Sequence, residues 1–328
     1  MSAVPAAVPA TNGQATQVQR ERDPALHQWA VEHCATHFRG NRAAFASEMG
    51  FSRSALSKWL DRRYVANTRI EESIAQYRAR QDRLASDGQF VRTHIASEVI
   101  GACRYAMERR KLVAIVGRAG GGKSTALQEF MRRAVESGVS ASSLVYVIAR
   151  SVTTAASVMR RIALELGIPA RGVIDELTDR VIAKLKKDPR LIVIDDAAFL
   201  NVKALHLVRT LYDEAGAGVV LVGIRELMDR ILHATGRLGE DLAQIRSRVA
   251  LVCELDQALG KSEAVEIARR RAPDLDAAEI ELIAGKQRCA RALVHVVERV
   301  QAIRRMNPGE AIADVIEAAE SEVLEAAV

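Results

Sequence analysis

An apolar run at residues 112–116 leads directly into Gly117-Arg118-Ala119-Gly120-Gly121-Gly122-Lys123-Ser124, and a stretch with Leu127 and Phe130 on one helical face follows. A buried strand must stop there, the chain must turn through glycines, and a helix must begin at Lys123. Phosphate binding is the chemistry that needs this pattern. Glycines let backbone N–H groups approach an anion that a side chain would hold off. The start of the following helix directs its positive dipole end at the same point. Lys123 can reach the β- and γ-phosphates of ATP, and the Ser124 hydroxyl can ligate Mg2+. Gly117, Gly120, Gly121, Gly122, Lys123, Ser124 and Thr125 are the expected cradle for ATP and Mg2+.

Four further apolar runs, at 144–148, 191–194, 219–222 and 249–252, share the near-continuous hydrophobicity of strands buried on both faces. Amphipathic stretches at about 123–137, 155–166, 176–187 and 203–215 alternate with them, which predicts α/β architecture with a parallel five-stranded sheet. The third run ends in Asp195-Asp196. Asp195 is placed to hold the Mg2+ shell, and Asp196 occupies the position that activates the attacking water. From Gly260 onward the pattern is helical, punctuated by Pro273 and the Asn307-Pro308-Gly309 turn. The expected divisions are a disordered leader (1–22), an all-helical domain (23–86), the phosphate-binding core (87–257) and a C-terminal helical lid or bundle (258–328).

The N-terminal domain carries a second signal. In residues 42–60, Ala46 is small where two helices would cross, Gly50 permits a left-handed turn, and Ser52 can cap a second helix. Phe45, Met49, Phe51, Leu56, Trp59 and Leu60 supply a core. This spacing predicts a helix-turn-helix, with Arg53, Ser54, Ser57 and Lys58 available to a DNA major groove and Arg62 and Arg63 to its phosphates. A small helical protein-interaction domain is the other reading. Charge favours DNA: from Arg39 to Arg63 there are six basic residues against Glu48 and Asp61, in a chain of formal net charge +6. Beyond Arg305 there is no Lys or Arg, and an acidic end suits a protein partner better than DNA. Val315, Ile316, Ala319, Val323 and Leu324 have helical spacing there, as ordinary core residues do.

The four cysteines, Cys34, Cys103, Cys253 and Cys289, are far apart and show no metal-ligand spacing, which fits a reducing cytoplasm. No apolar run approaches membrane-spanning length, so no membrane partner is expected.

The order of these parts resembles the family of the phage Mu B transposition protein, AAA+ ATPases that select target DNA for transposases. The residues carrying the resemblance are the lead-in Gln89-Phe90-Val91-Arg92-Thr93, the phosphate loop, the run Val158–Gly167, the run ending in Asp195-Asp196, and the run Val219–Gly223. The resemblance implies an AAA+ fold and ATP-dependent self-assembly, as a homo-oligomer or helical filament on duplex DNA with little dependence on sequence. It also implies a cognate transposase as partner. By position it makes Arg248 the arginine finger, with Arg246 as fallback, and Arg291 the sensor-2 arginine of the lid. Arg150, Ser151, Thr153 and Thr154, in the loop after the second strand, become DNA-contact candidates, with Arg160 and Lys184 weaker ones; a solvated basic surface is the alternative for each.

Two departures bear on hydrolysis. The family's glutamate is Asp196 here, one methylene shorter, and the polar sensor-1 position after the fourth strand holds Ile224, followed by Arg225. The expectation is a protein that binds ATP well and hydrolyses it slowly, stimulated by DNA and assembly. Two other functions share these parts: an ATP-switched helix-turn-helix transcription regulator and an AAA+ replication helicase loader.

Overall fold

Asp23 starts the first helix. Its carboxylate accepts hydrogen bonds from the N–H groups of Ala25 and Leu26, and Pro24 sits at the first helical position, where no N–H is needed. The computed structural model describes residues 23–49, 51–61, 68–84, 90–140, 143–150, 153–187, 190–287, 289–307, 309 and 311–325. Within them the chain divides into two compact units, Met1–Arg78 and Ala79–Val328.

The first unit contains α1 (Pro24–His37), α2 (Arg42–Glu48), α3 (Arg53–Leu60) and α4 (Thr68–Leu84), the last running past the unit boundary. Asn41 and Ser52 cap α2 and α3 through their side-chain oxygens. Phe45, Leu56, Trp59, Ile70 and Ile74 are almost wholly buried and form one core. Ala46 is 1% exposed, as a crossing point between helices requires. The turn residue Gly50, Arg62, Arg63 and the 1–22 leader lie outside the described residues.

The second unit holds the sheet. Its strands are β1 (Leu112–Gly117), β2 (Leu144–Ile148), β3 (Leu191–Asp195), β4 (Gly218–Gly223) and β5 (Val249–Leu255), in the order β2-β3-β4-β1-β5. All pairings are parallel. β1, β3 and β4 are buried along their whole length, so no polar residue interrupts them before Asp195. On one face pack α5 (His94–Arg109) and α6 (Lys123–Glu136), against Val113, Ile115, Val193 and Val222. On the other pack α7 (Ala155–Glu165), α8 (Ile174–Lys187), α9 (Val202–Ala215), α10 (Arg225–Met228) and α11 (Gly236–Arg246). A π-type turn, Asp229–His233, joins α10 to α11, and the Arg230 guanidinium anchors it by donating to the carbonyls of Ala198 and Leu200.

The C-terminal helices are α12 (Lys261–Arg271), α13 (Ala277–Lys286), α14 (Ala290–Met306) and α15 (Ile312–Glu325). They share a separate core in which Val315, Ile316 and Ala319 are buried, so the apolar face of the acidic C-terminal helix is packed internally. No helix among the described residues is long and apolar enough to cross a membrane.

Gly218 shows how tightly α5 lies on the sheet. A Cβ there would sit 2.3 Å from the carbonyl oxygen of Ala106. Gly218→Ala must push the end of α5 away from β4, and a backbone clash of this kind costs about 1–3 kcal/mol. Denaturant unfolding should show that loss, with nucleotide affinity little changed, because Gly218 begins β4 and the phosphate loop lies at the strands' other end.

Candidate functional site

Parallel register gathers the chemistry at one edge of the sheet. Val116 pairs with Gly223, Gly117 with Leu255, and Ile148 with Asp195, so the phosphate loop, the paired acids and the end of β4 emerge together. β3 alternates between faces: Leu191 and Val193 point to the α6 side, and Asp195 follows in phase with them.

Gly120 and Gly122 have φ of 76° and 92°, the left-handed region the loop turns through before α6 begins at Lys123. The Lys123 ammonium donates to the carbonyls of Gly117 at 2.9 Å and Arg118 at 2.8 Å. Burial lowers its pKa; the charges of Asp195 and Asp196 pull upward and Arg291 downward, with a net lowering. Asp195, Asp196 and Arg291 therefore all lie near enough to act on Lys123. Ser124 and Thr125 are exposed at the start of α6.

Asp195 is 3% exposed. One carboxylate oxygen accepts from the Asp196 N–H at 2.9 Å and the other from the Tyr146 hydroxyl at 2.7 Å. Asp196 turns out of the strand at φ 54°, a left-handed conformation that Asp tolerates. Burial and then the neighbouring Asp195 raise its pKa, while Lys123 and Arg291 oppose the rise. A hydroxyl, a buried carboxylate and a glycine-lined cradle fit a magnesium ion shared with phosphate oxygens: the donors are hard and few, as expected when phosphates and water complete the shell.

The C-terminal helices meet this loop directly. The Arg291 N–H donates to the Gly120 carbonyl at 3.1 Å, and the Cys289 thiol lies 3.3 Å from the same oxygen. At α12, Glu263 accepts from the backbone N–H groups of His94 and Gly260 and pairs with the His94 ring, tying the C-terminal helices to the start of α5. Burial alone would raise the Glu263 pKa, but these hydrogen bonds leave it lowered. Ile95, Leu255, Ala258, Leu259 and Ala290 line a largely apolar cavity of about 110 Å3 beside Gly121 and Lys123.

Ile224 is 41% exposed at the end of β4 and lines, with Gly117, Arg118 and Ala119, a cavity of about 640 Å3. Arg225 lies in the same wall, its guanidinium 3.5 Å from the Asp256 carboxylate. Arg248 is elsewhere. It precedes β5, whose first residue pairs with Leu112, so it stands at the opposite edge of the sheet from Gly117. Six residues of strand separate the two edges, about 17 Å. Arg248 donates to the Asp213 carboxylate at 3.2 Å and the Ser247 hydroxyl at 2.8 Å. Arg246 is spent on structure, donating to the carbonyls of Leu232 and Gly239.

Of the DNA-contact candidates, Arg53, Ser54 and Lys58 are exposed on α3 and Ser57 is half-buried; Arg160 and Lys184 are exposed on α7 and α8. Arg150 and Thr154 are exposed, and the Thr154 hydroxyl oxygen caps α7 by accepting from the Ser157 N–H. Thr153 differs from expectation. It is 2% exposed, and its hydroxyl bridges the Arg150 N–H and carbonyl. A buried hydroxyl already bonded to the Arg150 backbone is not open to DNA, and Thr153 holds Arg150 in place instead. Ser151 lies outside the described residues. Sequence reasoning missed Tyr146, Cys289 and the His94–Glu263 tie. A tyrosine within an apolar strand was the available signal, since a buried hydroxyl seeks an acceptor.

Gly120→Ala would place a Cβ 2.6 Å from the Cys289 sulfur and 3.0 Å from the Arg291 Cβ in a left-handed conformation, so nucleotide affinity should fall at least tenfold by equilibrium titration. Asp196 has its pKa raised, so its ionised form destabilises the nucleotide-free fold at neutral pH and protonation relieves this as pH falls. Asp196→Asn should therefore raise the nucleotide-free melting temperature by about 1 °C at pH 7, a small value because solvent screens the group, with the gain vanishing towards pH 4.

A model of the AAA domain family matches residues 106–231. The "Mu-like prophage FluMu DNA transposition protein B" of Haemophilus influenzae is 29% identical over 218 residues, covering 64% of this chain and 72% of that protein. The "ATP-dependent target DNA activator B" of Escherichia phage Mu is 23% identical over 212 residues, covering 62% of this chain; the match spans 65% of its length, just under two thirds. Among solved structures, Cdc6p from Pyrobaculum aerophilum superposes with a TM-score of 0.56 at 16% identity, covering 73% of this chain and 71% of that one. The chain thus has the AAA+ P-loop fold, and it is a homologue of the B transposition proteins of Mu-like phages.

Proposed function

We propose that this protein is an ATP-dependent, DNA-stimulated ATPase that assembles on duplex target DNA with little sequence preference, delivers that DNA to a cognate transposase, and activates it. The setting is the bacterial or phage-infected host cytoplasm. The observation that carries the reading is the placement of Arg248. The phosphate cradle is built within one chain, yet the arginine expected to stabilise charge on the γ-phosphate stands about 17 Å away at the opposite edge of the same sheet. It can serve only the site of a neighbouring copy, so hydrolysis requires assembly. Arg246 is committed to its own backbone, which leaves Arg248 as the finger. The names of the relatives, one a transposition protein and one an ATP-dependent target DNA activator, support the partners assigned.

Within the site, Lys123 and the backbone of Gly117–Gly122 hold the phosphates, Ser124 and Asp195 hold Mg2+, Asp196 activates water, and Arg291 senses the γ-phosphate from the lid. When bound, Mg2+ neutralises phosphate charge. Nucleotide binding frees Lys123 from the loop carbonyls it now contacts and settles the lid through Arg291. Hydrolysis is slow, because Asp196 is short and Ile224 offers no hydrogen bond.

Duplex DNA lies against Arg150, Ser151 and Thr154 and, from the N-terminal helix-turn-helix, against Arg53, Ser54, Ser57, Lys58, Arg62 and Arg63. These are mostly phosphate contacts, hence the weak sequence preference. DNA stimulation is supported by the lacing of the two loops. Ala149 N–H donates to the Asp195 carbonyl at 2.8 Å, Thr153 N–H to Phe199 at 3.1 Å, and Asn201 N–H to Thr153 at 3.2 Å. A load on Arg150 is thereby passed to the segment that carries both acids.

Electron microscopy with duplex DNA should reveal filaments with ATP and Mg2+ and none without nucleotide; coating that ignores nucleotide would overturn the reading. Arg248→Ala should keep nucleotide affinity in the dilute monomer while lowering DNA-stimulated turnover by roughly 10³-fold. Equal turnover in the variant would remove Arg248 from the mechanism.

A further inference from the structure

The Tyr146 hydroxyl contacts the Asp195 carboxylate at the site and has no role in the reading above. We infer that Tyr146, on β2, is a positioning residue for the metal-holding carboxylate of Asp195: it fixes the plane and rotamer in which that carboxylate meets Mg2+. The inference rests on the magnesium-nucleotide reading of this site.

Tyr146 pairs in register with Val193, two residues before Asp195 on β3. Both face the α6 side of the sheet, in the core that contains Leu144, Leu191 and Phe130. From there the ring lies along the strand direction, spans the two-residue gap of about 6.6 Å, and brings its hydroxyl to 2.7 Å from the Asp195 Oδ2. The other oxygen, Oδ1, accepts from the Asp196 N–H at 2.9 Å. One donor on each oxygen stops the carboxylate from rotating about its terminal bond, which is otherwise soft. Each oxygen keeps a lone pair for a further partner.

The chemistry of the two donors matters as much as their number. Both are neutral. Tyr146 is 6% and Asp195 3% exposed, so a formal charge is held in the interior by hydrogen bonds that orient it without cancelling it. That charge is left for a cation arriving at the sheet edge, where Lys123 and Ser124 begin α6. Oriented acceptors of this kind gain affinity from the partner that holds them, and losing such a partner costs roughly 10-fold or more in metal binding.

A purely structural role predicts something else. A tyrosine and an aspartate could satisfy each other's buried polar atoms and influence only stability. The metal dependence of nucleotide binding separates the two roles. The probe is a fluorescent, non-hydrolysable ATP analogue titrated into the full chain, first in EDTA and then across a Mg2+ series, with thermal melts alongside. Tyr146→Phe keeps the ring and removes one oxygen. Val145→Ala is the control: Val145 is buried on the same strand but faces the opposite core, so it loosens β2 without touching the carboxylate.

The expected result is that Tyr146→Phe binds the analogue normally in EDTA and needs roughly 10-fold more Mg2+ for half-maximal tightening. Val145→Ala should match the wild-type Mg2+ midpoint even if it melts lower. In an Asp195→Asn background the same Tyr146→Phe change should leave the Mg2+ midpoint where Asp195→Asn alone put it, because the tyrosine acts only through that carboxylate. An unshifted midpoint in Tyr146→Phe, or an equal shift in Val145→Ala, overturns the positioning role while the magnesium-nucleotide reading stands. Absence of any Mg2+-dependent tightening in the wild type overturns that reading first and this inference with it.

Discussion

The register of β1 between β4 and β5 decides what can meet at the working edge of the sheet. β1 is hydrogen-bonded on both sides and wholly buried, so it cannot slip without breaking two ladders and moving apolar side chains into the wrong core. With Val116 opposite Gly223 and Gly117 opposite Leu255, the glycine loop leaves the sheet level with the ends of its neighbours. The same ladder, carried through β4 to β3, brings Asp195 to that edge, and β2 then brings Tyr146 beside it. The site follows from strand pairing, and its loops are short because the strands have already done the placing.

What gathers there is electrostatically unfavourable without a ligand. Two carboxylates are adjacent in sequence, and together with the Arg291 guanidinium they act on the Lys123 ammonium, while Lys123, Asp195 and Arg291 act on Asp196. The protein tolerates this by partial remedies: Lys123 turns to the loop carbonyls, and Asp195 takes two neutral donors. Anions and a divalent cation bound together would satisfy every one of these groups. A site left frustrated by itself and complementary to a charged pair is preorganised for that pair, because little has to rearrange when it binds.

Much of this was legible in the sequence, for identifiable reasons. The strands at 112–116, 144–148 and 191–194 were found within a residue because burial on both faces leaves an unbroken apolar run. β5 was cut short at 252, although it runs to Leu255, because an edge strand is only partly covered and its run includes Glu254. The π-type turn at Asp229–His233 had no local signature; it depends on Arg230 reaching carbonyls about thirty positions earlier. Thr153 looked like a surface loop residue, since threonines in loops usually are, and only its hydrogen bonds to the Arg150 backbone show its hydroxyl turned inward. Tyr146 with Asp195 and His94 with Glu263 were invisible for the same reason as Arg230. Each joins residues whose proximity is created by topology, and no spacing in one dimension encodes it.

Arg248 illustrates the distinction between a residue's identity and its reach. The family resemblance singled it out by its position just before the fifth strand. Its location needed the direction of β5, because a parallel strand beginning at Val249 leaves Arg248 at the edge remote from Gly117. The side chain there is paired with Asp213 and only partly exposed, in a charged surface that also includes Arg209. An exposed pair of this kind is worth little, typically below about 1 kcal/mol, so it holds the arginine in place without locking it. A neighbour's phosphate, doubly charged and poorly hydrated once enclosed, would outcompete a single solvated carboxylate. The arginine is therefore held at low cost and in a defined place at the edge remote from its own phosphate loop, and the proposed assembly would put that place to use.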